Sequence, residues 1–408
     1  MKFGKFDYAA FLLFCTYAIC SLIIPVVLVE VARDLAFDLD KGGMSAGGVL
    51  QFGRSITMVG SMLICSMLAS RYGLRRSLAA AAICMSCGIV FAAMSQWYWM
   101  LLAVLVVAGI GEGLIEGLAT PFVGELHKGN ETGKYMNITH GFWSVGIFVF
   151  IPLLGWLLGC NISWRILCVI VAVFTLVPAV ILLYPDKNKL EQLEGKGRFD
   201  AAGAWKKVRD IAGCRQFWIF FMAMFVAGGG EYGATFWCAS LLRLEYGAAP
   251  VFGGLATALF SAGMMLGRTA SGIFVRQKDL AILIIAAAAG GAVVTTFFYS
   301  VASVTGVMIL LFFAGLFSAP FWPSIQCYSV DRLGHFDSTT LYIMLSCAGV
   351  PGCGVLSVVM GKMGDLWGLR TAFMAIPVCY VILAGLIFWD FYICKGKNKL
   401  SSLKDPQA

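Results

Sequence analysis

The sequence predicts an all-α membrane protein whose twelve transmembrane helices form two six-helix bundles. Three observations carry that expectation. Of the 408 residues, 60% are hydrophobic and only 13% charged, far outside the range of soluble domains. Apolar runs of about 20 residues, enough to cross a bilayer as a helix, recur along the whole chain between short charged or Pro/Gly-rich breaks. One longer polar segment, 185–214, separates the first six runs from the last six.

The first run follows two lysines in "MKFGKFDYAAFLLFCTYAICSLIIPVVLVEV". It is longer than a signal-peptide core and has no small-residue cleavage site, so it reads as an uncleaved first span, 8–31. The others fall at 44–69, 78–95, 99–122, 136–159, 165–184, 215–240, 250–274, 279–299, 304–327, 338–361 and 371–393. With the N-terminus inside, 22 of the 30 Lys and Arg lie on the cytoplasmic side. Six (Arg33, Lys41, Arg165, Arg243, Lys362, Arg370) lie outside, and Arg54 and Arg268 lie within spans. The positive-inside rule then gives a multi-pass protein of the plasma (inner) membrane with both termini cytoplasmic. The same asymmetry accounts for the net charge of +8 without a nucleic-acid partner. The expected domains are a bundle over 1–184, a cytoplasmic linker over 185–214, a second bundle over 215–393 and a tail over 394–408.

Within the linker, Phe199, Ala202, Trp205 and Val208 recur at roughly helical spacing beside Lys206, Lys207 and Arg209. That is the pattern of an amphipathic helix on the inner membrane surface. The two halves echo each other: Gly146 and Gly155 in span five recur as Gly352 and Gly361 in span eleven, as expected of a parallel duplication of six spans. The 14 cysteines fall almost all inside apolar runs. They read as small apolar core residues, so no disulfide and no metal site is expected, Cys84 and Cys87 included.

Span four, "GEGLIEGLATPFVGEL", overlays two patterns. Gly109, Gly113 and Gly117 repeat every four residues, a face that lets a neighbouring helix pack closely. Glu112 and Glu116 share another face, rotated about 100° from the glycines. A carboxylate at bilayer depth costs roughly 2.5–3.5 kcal/mol on insertion scales. Desolvation disfavours the charged form of such an acid, which suits it to taking and releasing a proton as its exposure changes. Both are candidates for proton coupling, with Glu116 favoured. Arg54, near the middle of span two, needs a partner at that depth. Glu112 is the expected partner; the alternative is an anion-binding arginine facing a cavity.

Span seven carries "AGGGEYGA". Three successive glycines weaken a helix, and broken helices in transporters often mark the binding site, so Glu231 is a solute-binding or gating candidate. His140 and Trp143 share one side of span five. With Trp237 and Trp322 they are candidates to contact the solute. Trp97, Trp99, Trp164 and Trp367 fall at span ends, where interface anchors are expected.

The loop after span two, "SMLASRYGLRR", resembles the signature G-x-L-x-D-R-x-G-R-R of the major facilitator superfamily. Arg71, Gly73, Arg75 and Arg76 match it and would form the gating loop; Ser66 and Ser70 replace its Gly and Asp. Within that superfamily the chain is similar to the fucose/glucose/galactose–proton symporter group. "LIEGLATPFV" resembles the group's L-E-T-A-A-N-P-F-V, placing Glu116 on its proton-linked glutamate. "NITHGFWSVG" places His140 on a substrate-contact position. "GGGEYGATFW", "LGRTASG" and "FWPSI" resemble its patterns in spans seven, eight and ten. Ser21 stands where the group has an Asp, and Thr120 where it has an Asn.

The resemblance implies a secondary transporter working by alternating access, most simply the proton-coupled symport of a small polar solute such as a sugar. Two alternatives share the fold: proton-driven efflux of amphipathic compounds, and uptake of an organic anion on Arg54. The sequence has no P-loop, G-x-S-x-G or H-E-x-x-H, so no enzyme activity and no cofactor are expected. A proton, or else sodium, is the coupling ion. The partners expected are a small-molecule substrate and the lipid bilayer, for a protein acting as a monomer.

Overall fold

A computed structural model describes residues 3–127, 132–184 and 200–394. Twelve of its helical segments are long and apolar enough to cross a membrane, and no strand occurs among the described residues. The first six spans are α1 (Lys5–Asp34), α2 (Met44–Tyr72), α3 (Leu74–Ala93), α4 (Tyr98–Leu126), α5 (Thr132–Gly159) and α6 (Trp164–Leu183). The helix α7 (Ala201–Ala212) follows outside the spans. The seventh to ninth spans are α8 (Arg215–Tyr246), α9 (Pro250–Phe274) and α10 (Leu280–Thr296), the last with the short turn before it. The tenth is broken into α11 (Val304–Ser318) and α12 (Phe321–Arg332). The eleventh is α13 (Ser338–Trp367); α14 (Leu369–Ala372), α15 (Ala375–Phe388) and a π turn make the twelfth. An even number of spans puts Lys5 and Cys394 on one face, here the terminal face; the opposite one is the far face.

Glycines decide which helices meet. A Cβ on Gly109, Gly113 or Gly117 of α4 would collide with Arg54, Met58 or Cys65 of α2, so the expected close-packing face is used against span two. The repeated glycines of spans five and eleven occupy matching contacts in the two halves. Gly146 lies on α1 at Cys15, and Gly352 on α8 at Phe225; Gly155 lies on α9 at Pro250, and Gly361 on α2 at Met44. The first member of each pair therefore packs inside its own half. The second packs across the seam, which runs along α2–α13 and α5–α9.

The expected break in span seven is corrected. Helix α8 runs unbroken through Gly228, Gly229 and Gly230, because a small-residue face is needed there for packing rather than for bending. Gly228 lies on Gly349 of α13, and Gly230 on Tyr380 of α15. The break occurs in span ten instead, at Ala319–Pro320. Trp164 also departs from expectation. It is only 2% exposed, and its indole donates to Asp34 at 2.7 Å, so it ties α6 to α1 instead of anchoring at the lipid interface.

Two carboxylates tie the halves together at the far face. Asp365, near the end of α13, accepts from the Met44 and Ser45 amides, both at 2.8 Å, and from the Ser45 hydroxyl. A carboxylate from one bundle thus caps the helix N-terminus of the other, where the dipole favours it. Arg243 of α8 pairs with Glu30 of α1 at the same face.

The linker expectation is covered in part: 185–199, with Phe199, and the tail from 395 lie outside the described residues. Helix α7 is capped by Asp200, which accepts from Gly203 at 2.9 Å. Trp205 is exposed and Ile211 buried. Lys207 reaches Asp337 at 2.9 Å, and Asp337 caps α13 through the Thr340 amide (2.9 Å) and hydroxyl (2.7 Å). The Thr340 donors and Lys207 together push the Asp337 carboxyl down to about 2. A folded value below the unfolded one gives a contribution complete above the unfolded value and lost only as pH falls towards 2. Asp337→Ala should therefore lower stability by about 0.5–2 kcal/mol, the usual cost of an N-cap. Thermal unfolding in detergent should show the same deficit from pH 5 to 8; a deficit that disappears within that window would contradict this role.

Candidate transport site

Two polar clusters lie at mid-membrane depth, and they differ in one respect: one is dry, the other accessible. The dry cluster centres on Arg54, 1% exposed, and Glu112, 0% exposed. Arg54 Nε donates to Glu112 Oε2 at 2.7 Å, and Nη2 donates to Oε1. Its remaining donors take the carbonyls of Cys20 (2.7 Å) and Ser21 (3.2 Å). The Ser21 carbonyl is available because the residue four positions on is Pro25, which has no N–H to give it. Tyr232 reaches across from α8 to the same carbonyl (3.0 Å) and to Gln51 Oε1 (3.2 Å). The Ser21 hydroxyl completes the cluster on Glu112 Oε1 at 3.4 Å.

The accessible cluster joins both bundles. From the first come Tyr17, Glu116, Thr120 and His140. Tyr17 of α1 lies within electrostatic reach of Glu116. His140 Nε2 shares a hydrogen bond with Thr120 Oγ1 at 2.9 Å, and its ring lies 4.5 Å from Phe14. From the second come Glu231 on α8 and Arg268 on α9, with Nη2 of Arg268 3.9 Å from Glu231 Oε1. Arg268 lies within electrostatic reach of Glu116 and His140 across the seam. His140 is nevertheless solvent-exposed. Trp143 packs edge-on against Tyr17 at 4.4 Å on the same side of the first bundle.

Arg268 is held by the break in span ten. Its Nε donates to the Ala319 carbonyl at 3.3 Å. Four residues on stands Pro323, so this carbonyl too has no helical donor. Spans two and eight, at equivalent places in the halves, thus each bear an arginine bound to a proline-freed carbonyl.

Several expected site residues lie elsewhere. Arg54 is corrected as a solute ligand: it is fully buried and held by a carboxylate and two carbonyls. Trp237 is corrected too; it is 0% exposed, its indole donates to the Ser357 carbonyl at 3.2 Å, and its ring packs at Gly47 on the α2–α13 seam. Trp322 lies half-buried over Gly349. In the loop after span two, Gly73 has φ +85°, a backbone suited to glycine, and it ends α2 and starts α3. Arg75 donates to the carbonyls of Leu182 (3.0 Å) and Tyr184 (3.5 Å). Arg71 lies over Tyr72, Arg76 is exposed, and Ser70 bonds its own helix at Met67. The side chain of Asn137, in the span-five motif, lies outside the described residues.

Sequence reasoning placed Arg268 in a span without bringing it to the site, and passed over Tyr17 and Tyr232. The signal was partial: an arginine within one span and, in another, a proline that frees a carbonyl, with nothing local to join the two.

Twelve spans in two halves of six, with charged side chains of both halves near one another, make this a multi-pass membrane protein. Residues 9–337 match the sequence profile of the Major Facilitator Superfamily, and the chain belongs to that superfamily. It is 28% identical over 149 residues to the MFS-type transporter ppz2 of Metarhizium majus (strain ARSEF 297). That match covers 36% of this chain and spans only 24% of the relative's length. Among solved structures, it superposes on a bacterial homologue of the human lysosomal transporter Spinster, inward-facing and unoccupied. There the TM-score is 0.74 at 17% identity, over 94% of this chain and 95% of the other. A D-xylose–proton symporter gives 0.75 at 13% identity over 94% and 97%. The E. coli fucose:proton symporter gives 0.66 at 16% over 94% and 98%. At these identities the likeness shows the fold.

Proposed function

We propose that the protein is a proton-coupled symporter of a small polar solute such as a sugar, working by alternating access in the plasma (inner) membrane with both termini cytoplasmic. The observation that carries this reading is an acid on each bundle, Glu116 and Glu231, within electrostatic reach of one arginine, Arg268. With one proton on Glu116, the group of Glu116, Glu231 and Arg268 is neutral, and a neutral state is the one that a low-dielectric interior favours. Glu116 takes its proton while a gap between the bundles opens to the far face and releases it when that gap opens to the terminal face. The solute sits against Glu231 and His140, with Trp143 and Tyr17 as its apolar wall. The Asp365 cap and the Arg243–Glu30 pair tie the bundles together at the far face, which supports reading this arrangement as the one closed to the outside. Only interactions that differ between the two open states can drive the exchange between them, and these far-face ties are such interactions.

The test is uptake by proteoliposomes under an inward acid gradient, offered labelled L-fucose, D-xylose, other hexoses and polyols. One of them should accumulate above its external concentration, and a protonophore should abolish the accumulation. Extrusion of amphipathic dyes with no accumulation of any member of the panel would contradict the reading.

A further inference from the structure

We infer that the terminal end of α1 holds one anionic diacyl phospholipid, its phosphate at Lys5 and Arg75 and its two acyl chains in the grooves on either side of Tyr8. This site is separate from the proton and solute sites.

Helix α1 is sheathed by its neighbours over most of its length: from Leu13 to Val29 every residue is buried. Ahead of that stretch, only Lys5, Tyr8 and Leu12 of the helix reach the surface, at the spacing of a single helical face. Tyr8 is 55% exposed and stands as a ridge between two apolar grooves. The groove towards α6 has a volume of about 310 Å³ and is lined by Lys5, Val180, Ile181 and Tyr184. The groove towards α5 has a volume of about 630 Å³ and is lined by Phe3, Leu12 and Ile138. Its floor is Phe11, stacked on Phe142 at 4.3 Å. Two apolar channels that leave one ridge at one depth match the two chains of a single lipid.

The mouth of the narrower groove is cationic. Lys5 Nζ donates to the Tyr184 carbonyl at 3.3 Å and lies 4.4 Å from the centre of the Tyr184 ring. Arg75 Nη1 donates to the same carbonyl at 3.5 Å. Two cations thus converge on one neutral oxygen, where like charges repel unless an anion lies between them. Among the described residues Lys5 has no carboxylate partner. Asp7, two residues on, is turned inward: it is 5% exposed, accepts from the Gly4 amide at 2.8 Å and pairs with His127 Nε2 at 2.5 Å. A phosphodiester suits the mouth, since arginine and lysine both bind phosphate by charge-assisted hydrogen bonds. Tyr8 and Tyr184 stand at the level where tyrosines meet lipid headgroups. A zwitterionic headgroup would bring a third cation to the mouth; an anionic one brings none. With the terminal face cytoplasmic, the site opens on the leaflet whose surface is negative.

The test counts bound lipid by native mass spectrometry. The full chain in dodecyl maltoside is titrated with palmitoyl-oleoyl phosphatidylglycerol or with the matching phosphatidylcholine. One phosphatidylglycerol should bind about tenfold more tightly than phosphatidylcholine, and Lys5→Gln should weaken it about fivefold, the worth of one lysine at an anionic headgroup. Lys278→Gln removes an exposed lysine of the same face and should change nothing. Val180→Trp fills one groove and Leu12→Trp the other; each should weaken binding with no change of charge. Glycerol phosphate, the headgroup chemistry without the chains, should not displace the lipid at equal concentration. Equal binding of the two lipids, equal losses in Lys5→Gln and Lys278→Gln, displacement by glycerol phosphate, or full binding by both tryptophan variants would overturn the inference. Thermal unfolding of each variant in phosphatidylcholine micelles should fall within a few degrees of the native protein. Where Lys5→Gln does not, Val180→Trp, on another helix, decides.

Discussion

Glu112→Ala is expected to lose about 3–5 kcal/mol of stability, the cost of stripping a buried charge of its partner. Arg54 is left 1% exposed with two carbonyls and no carboxylate. It cannot deprotonate to escape the cost. It cannot swing away, because Gly109 brings the backbones of α2 and α4 into contact beside it. Thermal unfolding in detergent should show a large fall in midpoint or loss of the monodisperse species. The double replacement Arg54→Met with Glu112→Met removes both charges and should recover most of the stability, since apolar groups of similar volume often replace buried ion pairs without loss. Such a double variant that still transports would establish the pair as scaffold. A Glu112→Ala protein as stable as the native one would show that the pair does not hold spans one, two and four together.

Glu116→Gln has the opposite character: little effect on stability, a large one on coupling. Glutamine keeps the length and shape of the side chain, but it takes no proton. In proteoliposomes the accumulation ratio under an acid gradient should fall to about one, because nothing then links solute movement to the proton gradient. Exchange of internal for external labelled solute requires no net proton movement and should persist within a few-fold of the native rate. Full accumulation by this variant would place the proton site elsewhere, and loss of exchange as well would make Glu116 a solute ligand.

Both residues were visible in the sequence, for reasons that also mark where it stopped being legible. A charge inside an apolar run is expensive, so Arg54 had to have a partner, and the fold that the resemblance implied made span four its neighbour. Helix periodicity separated the glycines of that span from its glutamates. What could not be read was which of two lawful uses a pattern serves. Gly228 to Gly230 could bend a helix or let another lie against it, and α13 and α15 decide for the second. Trp164 and Trp237 could face lipid, solute or core; each is buried with its indole N–H donating to a partner on another helix. Arg268 could only be placed by knowing that the carbonyl freed by Pro323 faces span eight. That is a relation between helices, and local spacing carries none of it. Local spacing likewise shows no partner for Asp365, whose contacts lie on the other bundle.

The central claim is that a proton crosses with the solute through Glu116. The most direct measurement is the pH of a lightly buffered suspension of proteoliposomes, without any imposed gradient, at the moment the transported sugar is added. Co-transport predicts a transient alkalinisation outside that a protonophore collapses and that Glu116→Gln does not show. Entry of labelled sugar with no change in external pH would contradict it.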